Sequence, residues 1–139
     1  MAGLVVGYDG SECSKAALRE AASLAKALEE GVTVVFGYAP PGIWGGEIAE
    51  HEQAIEEYGE EVTAEAAREA AAAGVEIDVE LVAKRPSEAL VEVAEKGDAR
   101  LIVVGSHSEA PLKGAIIGST PYKLLHGSEV PVLVVPVPR

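Results

Sequence analysis

The chain has 139 residues, with 11 Lys and Arg against 23 Asp and Glu, for a formal charge of −12. With 48% hydrophobic and 24% charged residues, it reads as a soluble globular protein and not a disordered one. One domain, 1–139, is the expectation, because two cores would have about 70 residues each, where a single core is marginal. The acidic balance argues against a nucleic-acid partner, whose phosphates it repels. It leaves room for a small anionic ligand wherever a local site differs in sign from the whole surface. The single cysteine, Cys13, closes no intrachain disulfide, and no Cys/His spacing suits zinc. The opening MAGLVV has no basic leader of the signal-peptide kind. No apolar run approaches the roughly 18 residues of a membrane helix, so no membrane contact and a cytoplasmic location are expected.

Short apolar runs alternate with helical patterns. Leu4 to Tyr8 reads as a strand. Ser11 then offers an N-cap, and Leu18, Ala21, Ala22, Ala25 and Leu28 form a helical stripe that Gly31 stops. Val32 to Tyr38 is a second strand, rich in β-branched residues. Pro40, Pro41, Gly42, Gly45 and Gly46 mark a loop that contains the only tryptophan, Trp44, as a lid or an interface residue. A long helix follows over about 47–73. Ile48, Ile55, Tyr58, Val62, Ala66 and Ala70 lie on its buried stripe, most glutamates lie off it, and Gly74 is its stop. Val75 to Ala83 alternates, with Val75, Ile77, Val79 and Leu81 facing inward and Glu76, Asp78 and Glu80 outward, which suggests a sheet edge. Pro86 suits the first turn of a helix that buries Ala89, Leu90, Val93 and Ala94 and ends near Gly97. Leu101 to Val104 is a buried strand and Gly105 to Gly118 a loop. Thr120 caps a short helix with Pro121 at its first position, and Val132 to Val135 is the last strand. The order β-α-β-α-β-α-β-α-β predicts an α/β three-layer sandwich, a parallel sheet with helices on both faces.

In such a sheet, ligands bind at the carboxyl ends of the strands, where the strand order reverses. Two segments fall there: Tyr8-Asp9-Gly10-Ser11, and Gly105-Ser106-His107-Ser108 with Gly118-Ser119-Thr120 further on. Gly105 lets the backbone turn and come close to a ligand. Gly118, Ser119 and Thr120 open a helix whose unpaired N–H groups attract phosphate. Ser119 and Ser108 add hydroxyl donors, and Lys113 is the one permanent cation in the loop. Asp9 is placed to accept from ribose hydroxyls or to cap the first helix. His107 is either a phosphate neighbour or an ordinary loop residue. His126 suits a helix C-terminus, and His51 lies among glutamates. Cys13 reads as a small residue of the first helical turn, with a redox role as its alternative. The nucleophile elbow G-x-S-x-G, the phosphate loop G-x-x-x-x-G-K-(S/T) and G-x-G-x-x-G are all missing from the sequence.

Gly105-x2-Ser108-x9-Gly118-Ser119 resembles the G-x2-G-x9-G-(S/T) nucleotide signature of universal stress proteins. Asp9-Gly10-Ser11, the Leu-Ile-Val-Val-Gly run at 101–105 and Pro131-Val-Leu-Val-Val135 are also similar to that family. The resemblance implies a five-stranded parallel sheet of order 3-2-1-4-5, Rossmann-like and of the adenine-nucleotide-binding type. The ATP-binding branch implies Asp9 near ribose and adenine, backbone groups around Gly37 against adenine, and Gly105, His107, Ser108, Gly118, Ser119 and Thr120 at the phosphates, with Mg²⁺ shielding them.

Two positions depart from the pattern. Ser108 replaces a glycine, at roughly 1–2 kcal/mol if that backbone needs positive φ. Pro121 removes an N–H donor. The expectation is a homodimeric ATP- or other adenine-nucleotide-binding module with a stress-response or signalling role, paired through Val132–Val137. The alternatives are a nucleotide-free dimeric interaction protein of the same fold and a slow ATPase or phosphotransferase using Asp9 or His107.

Overall fold

The computed structural model describes residues 3–38, 48–106 and 119–136; the side chains of residues 48–52 and 119 lie outside that description. The elements are β1 (Leu4–Gly7), α1 (Glu12–Leu28), β2 (Val32–Gly37), α2 (Ile48–Ala72), β3 (Ile77–Val82), α3 (Pro86–Lys96), β4 (Leu101–Gly105), α4 (Ser119–Gly127) and β5 (Val132–Val135). They form one five-stranded sheet of order β3-β2-β1-β4-β5, and every pairing is parallel. This is the predicted order.

The period of two along each strand sends alternate side chains to opposite helical layers. Leu4, Val6, Val34, Phe36 and Val103 face α1 and α2, where Leu18, Ala21, Val62 and Ala66 meet them. Val5, Val35, Ile102 and Val104 face α3 and α4, against Leu90, Ala94 and Leu124. Leu4, Val5, Val6, Ile102 and Val103 are fully buried, as expected of central parallel strands covered on both faces. No described helix is long and apolar enough to cross a membrane.

Several expectations are corrected in detail. Helix α1 ends at Leu28 and not at Gly31: Glu29 takes the left-handed conformation, with φ 56° and ψ 44°. The Glu30 N–H donates back to the Ala25 carbonyl at 3.0 Å, and its carboxylate is held by Arg100 at 3.0 Å. Gly74, with φ +81°, does follow the end of α2.

Tyr58 leaves the buried stripe and is 53% exposed. The reason is its neighbour. A Cβ on Gly59 would lie 2.5 Å from Leu81 Cδ2 and 2.7 Å from Phe36 Cδ1. The helix therefore touches the sheet at Gly59, and Tyr58 is rolled outward, with its ring edge-on to Phe36 at 6.1 Å. Val79 is exposed as well, because β3 is an edge strand with a neighbour on one side only. Helix α4 starts at Ser119. Thr120 is thus inside the helix and Pro121 takes the third helical position, where its missing N–H is one that an α-helix leaves unpaired anyway.

Candidate functional site

A cleft of about 380 Å³ opens at the carboxyl edge of the sheet, where β1 and β4 diverge to opposite helical layers. Its size suits a small-molecule site. Gly7, Val35 and Val104 contribute its sheet wall, Leu90 and Pro86 an apolar wall from α3, and Thr120, Pro121 and Lys123 the wall from α4. The first turn of α1 closes the remaining side with Asp9, Ser11 and Ser14.

The Asp9–Ser14 turn is built by its own hydrogen bonds. The Ser11 N–H donates to Asp9 Oδ1 at 2.9 Å, and the Ser14 N–H donates to Ser11 Oγ at 3.2 Å. The Ser14 hydroxyl donates to the Ser11 carbonyl at 2.9 Å and accepts from the Asp9 N–H at 3.3 Å. Gly10, at φ +86°, supplies the reversal between them. Ser11 is therefore the cap of α1. Asp9 braces the turn one step earlier, with its carboxylate exposed at the cleft.

Gly37 and Gly105 also line the cleft, each for a packing reason that the sequence does not display. A Cβ on Gly37 would lie 2.8 Å from Pro86 Cα and 3.0 Å from the Lys84 carbonyl oxygen, so the end of β2 abuts the start of α3. A Cβ on Gly105 would lie 2.6 Å from both Cβ and the carbonyl oxygen of Cys13. Gly105 is not among the positive-φ glycines. Its lack of a side chain admits α1 against β4. Cys13 is buried in that contact, as a small first-turn residue.

The structure thus brings Asp9, Gly37, Gly105 and Thr120 to one cleft. Ser119 opens α4 beside them, its side chain outside the described set. His107, Ser108, Lys113, Gly118 and Trp44 lie outside the described residues, as does the side chain of His51. His126 is exposed in the last turn of α4, its ring 4.5 Å from that of Tyr122.

Sequence reasoning missed two cations of the cleft, Arg85 and Lys123. The signal was available: a residue between a parallel strand and the following helix lies at the carboxyl edge, and Arg85 immediately precedes Pro86. Tyr8, also on the wall, is 3% exposed, and its hydroxyl has no hydrogen-bond partner among the described residues. Burial pushes its phenol above the ordinary value, and the carboxylates of Glu69, Glu65, Asp9 and Glu12 push it further the same way.

Among the described residues Asp9 is the one carboxylate on the cleft wall, and one of its oxygens already accepts from Ser11. No cluster of three or more His, Cys, Asp or Glu among the described residues is arranged to hold a metal. A divalent ion here fits as a companion of ligand phosphates, which is how Mg²⁺ is commonly held.

A parallel sheet of order 3-2-1-4-5, with a mixed polar and apolar cleft at its carboxyl edge, defines a Rossmann-like α/β protein with a small-molecule cleft. The universal stress protein family model matches residues 3–136. The chain belongs to that family. It is 32% identical over 159 residues to the stress response protein NhaX of Bacillus subtilis, covering 95% of this chain and 96% of that one. Among solved structures it is similar to a universal stress protein in complex with cAMP, with 28% identity, a TM-score of 0.74, and 98% and 97% of the two chains covered. It is also similar to the universal stress protein from Archaeoglobus fulgidus in complex with dAMP, with 25% identity, a TM-score of 0.73, and 97% and 98% covered.

Proposed function

We propose that this chain is an adenine-nucleotide-binding module of the ATP-binding branch of its family, acting as a homodimer in a cytoplasmic stress-response or signalling role. The observation that carries the reading is the convergence of Asp9, Gly37, Gly105 and Thr120 on one cleft. These residues come from the β1–α1 turn, β2, β4 and α4, far apart in the chain. Solved relatives in complex with cAMP and dAMP support the adenine part of the reading.

On this reading the base rests against the end of β2 at Gly37, and the exposed Asp9 carboxylate accepts from ribose hydroxyls. The phosphates lie between Gly105 and the start of α4, with His107, Ser108, Lys113, Gly118, Ser119 and Thr120 contributing from the connecting loop and the helix. The N-terminal N–H groups and dipole of α4 favour negative charge there. Mg²⁺ enters with the phosphates and offsets their charge. Binding, not turnover, is the proposed activity, with ligand occupancy changing the shape or partners of the module.

The test is to denature the protein as purified and assay the supernatant for nucleotide, then to titrate ATP with Mg²⁺ by calorimetry. Stoichiometric co-purified adenine nucleotide, or micromolar binding, is the expected result. No nucleotide and no heat at millimolar ATP would overturn the reading and favour a nucleotide-free dimer of the same fold.

A further inference from the structure

The cleft differs in sign from the protein around it. The chain carries −12 overall, yet among the described residues the charged side chains of the cleft wall are Arg85, Lys123 and Asp9, two cations against one carboxylate. A protein this acidic repels a polyanion at long range, so a local reversal decides where such a ligand can settle.

Among the described residues the two cations are also uncommitted. Lys15 is held by Glu65 at 3.2 Å, Arg100 by Glu30 at 3.0 Å, and Lys84 and Lys96 by Glu92 at 3.1 and 3.0 Å. Arg85 and Lys123 make no ion pair among the described residues. Lys84, the residue before Arg85, takes one oxygen of Glu92 and Lys96 takes the other. That leaves Arg85, at the start of α3, and Lys123, in α4, at the cleft. Lys123 also borders the neighbouring groove with Glu88 and Glu95, but pairs with neither.

We propose that Arg85 and Lys123 are anion-binding residues that make this cleft select phosphorylated over unphosphorylated ligands. They act from the start of α3 and from α4. This inference rests on the nucleotide reading above for its ligand and extends it to residues that carry charge selectivity. A guanidinium offers a planar fork of donors to phosphate oxygens and an ammonium a compact point charge, so the pair supplies two kinds of contact to one polyanion.

The experiment titrates wild type, Arg85→Ala, Lys123→Ala, Arg85→Lys and Arg68→Ala with adenosine, ATP and inorganic tripolyphosphate, by calorimetry at fixed ionic strength. Arg68 is exposed on α2 and does not line the cleft, so Arg68→Ala makes the same change in net charge elsewhere. The expected result is about a tenfold loss of ATP and tripolyphosphate affinity in each cleft alanine variant, in line with a charge-assisted hydrogen bond. Adenosine affinity and Arg68→Ala should stay unchanged, with partial rescue in Arg85→Lys. ATP binding that is equal in wild type and both cleft variants overturns the inference and leaves the nucleotide reading standing. Cation-dependent binding of tripolyphosphate, with ATP bound no more tightly, supports the inference and overturns the adenine reading. No binding of any phosphorylated probe by wild type overturns both.

Discussion

Tyr8 is a buried aromatic whose hydroxyl finds no partner among the described residues. An unpaired buried donor carries a desolvation cost of about 1–3 kcal/mol, so Tyr8→Phe should leave urea stability unchanged or raise it by about 1 kcal/mol at neutral pH. Its raised phenol pKa has a definite sign. The fold favours the neutral form, so this contribution is fully present below about pH 10, the ordinary tyrosine value, and is lost as pH climbs past the raised folded value. Stability measured from pH 8 to 12 should fall less steeply in Tyr8→Phe than in wild type. Gly105 gives the opposite case. A methyl there would meet the backbone of Cys13 at 2.6 Å, and backbone cannot rotate away. Gly105→Ala should destabilise by about 1–3 kcal/mol in urea unfolding, before any ligand is considered.

At the scale of elements, helix α1 has a conformational cost at its C-terminus. Glu29 holds φ 56°, a region that costs a non-glycine residue roughly 1 kcal/mol. Glu29→Gly should therefore raise stability, and with it the thermal midpoint, by no more than about 0.5 kcal/mol after glycine's extra unfolded-state entropy. A lower midpoint would show that the Glu29 side chain contributes more than its backbone costs. The same residue shows the limit of reading the chain by pattern. Gly31 looks like the helix stop because glycine is the usual left-handed residue, but Glu29 takes the left-handed position first, and Glu30 then pairs with Arg100, seventy positions away. The element order and the solvated face of β3 were legible because periodicity is a local signal, whereas the strand order came from the family resemblance. The cleft residues Asp9, Gly105 and Thr120 were expected from topology, since every carboxyl end lies at one edge, and Gly37 from the family resemblance. Arg85, Lys123 and the close approach at Gly59 were not anticipated. Their roles depend on which helix packs against which strand, at what distance, and which neighbouring acids are already paired.

For the whole molecule, the proposed homodimer is a matter of what the surface leaves uncovered. Strand β5 ends the sheet, with Val132, Leu133, Val134 and Val135 only partly buried. Nearby on α4, Tyr122 is 60% and Leu125 52% exposed. A bare apolar edge invites pairing. Light scattering at micromolar concentration should give about twice the 14.3 kDa of one chain, and a single-chain mass would count against the dimer. The sheet order also bears on how the chain is made. Strand β1 is the central strand, paired with β2 on one side and β4 on the other. During synthesis β2 and β3 become available first, and β4 begins only at Leu101, nineteen residues after Val82. At about 5–20 residues per second, the ribosome takes roughly one to four seconds to cross that interval. Throughout it, the nascent three-stranded half presents Val5 and Val6 on an open ladder. A central strand whose Leu4, Val5 and Val6 are fully buried in the finished fold is therefore the one that waits for its second partner, and this is the stage at which a chaperone would have most to shield.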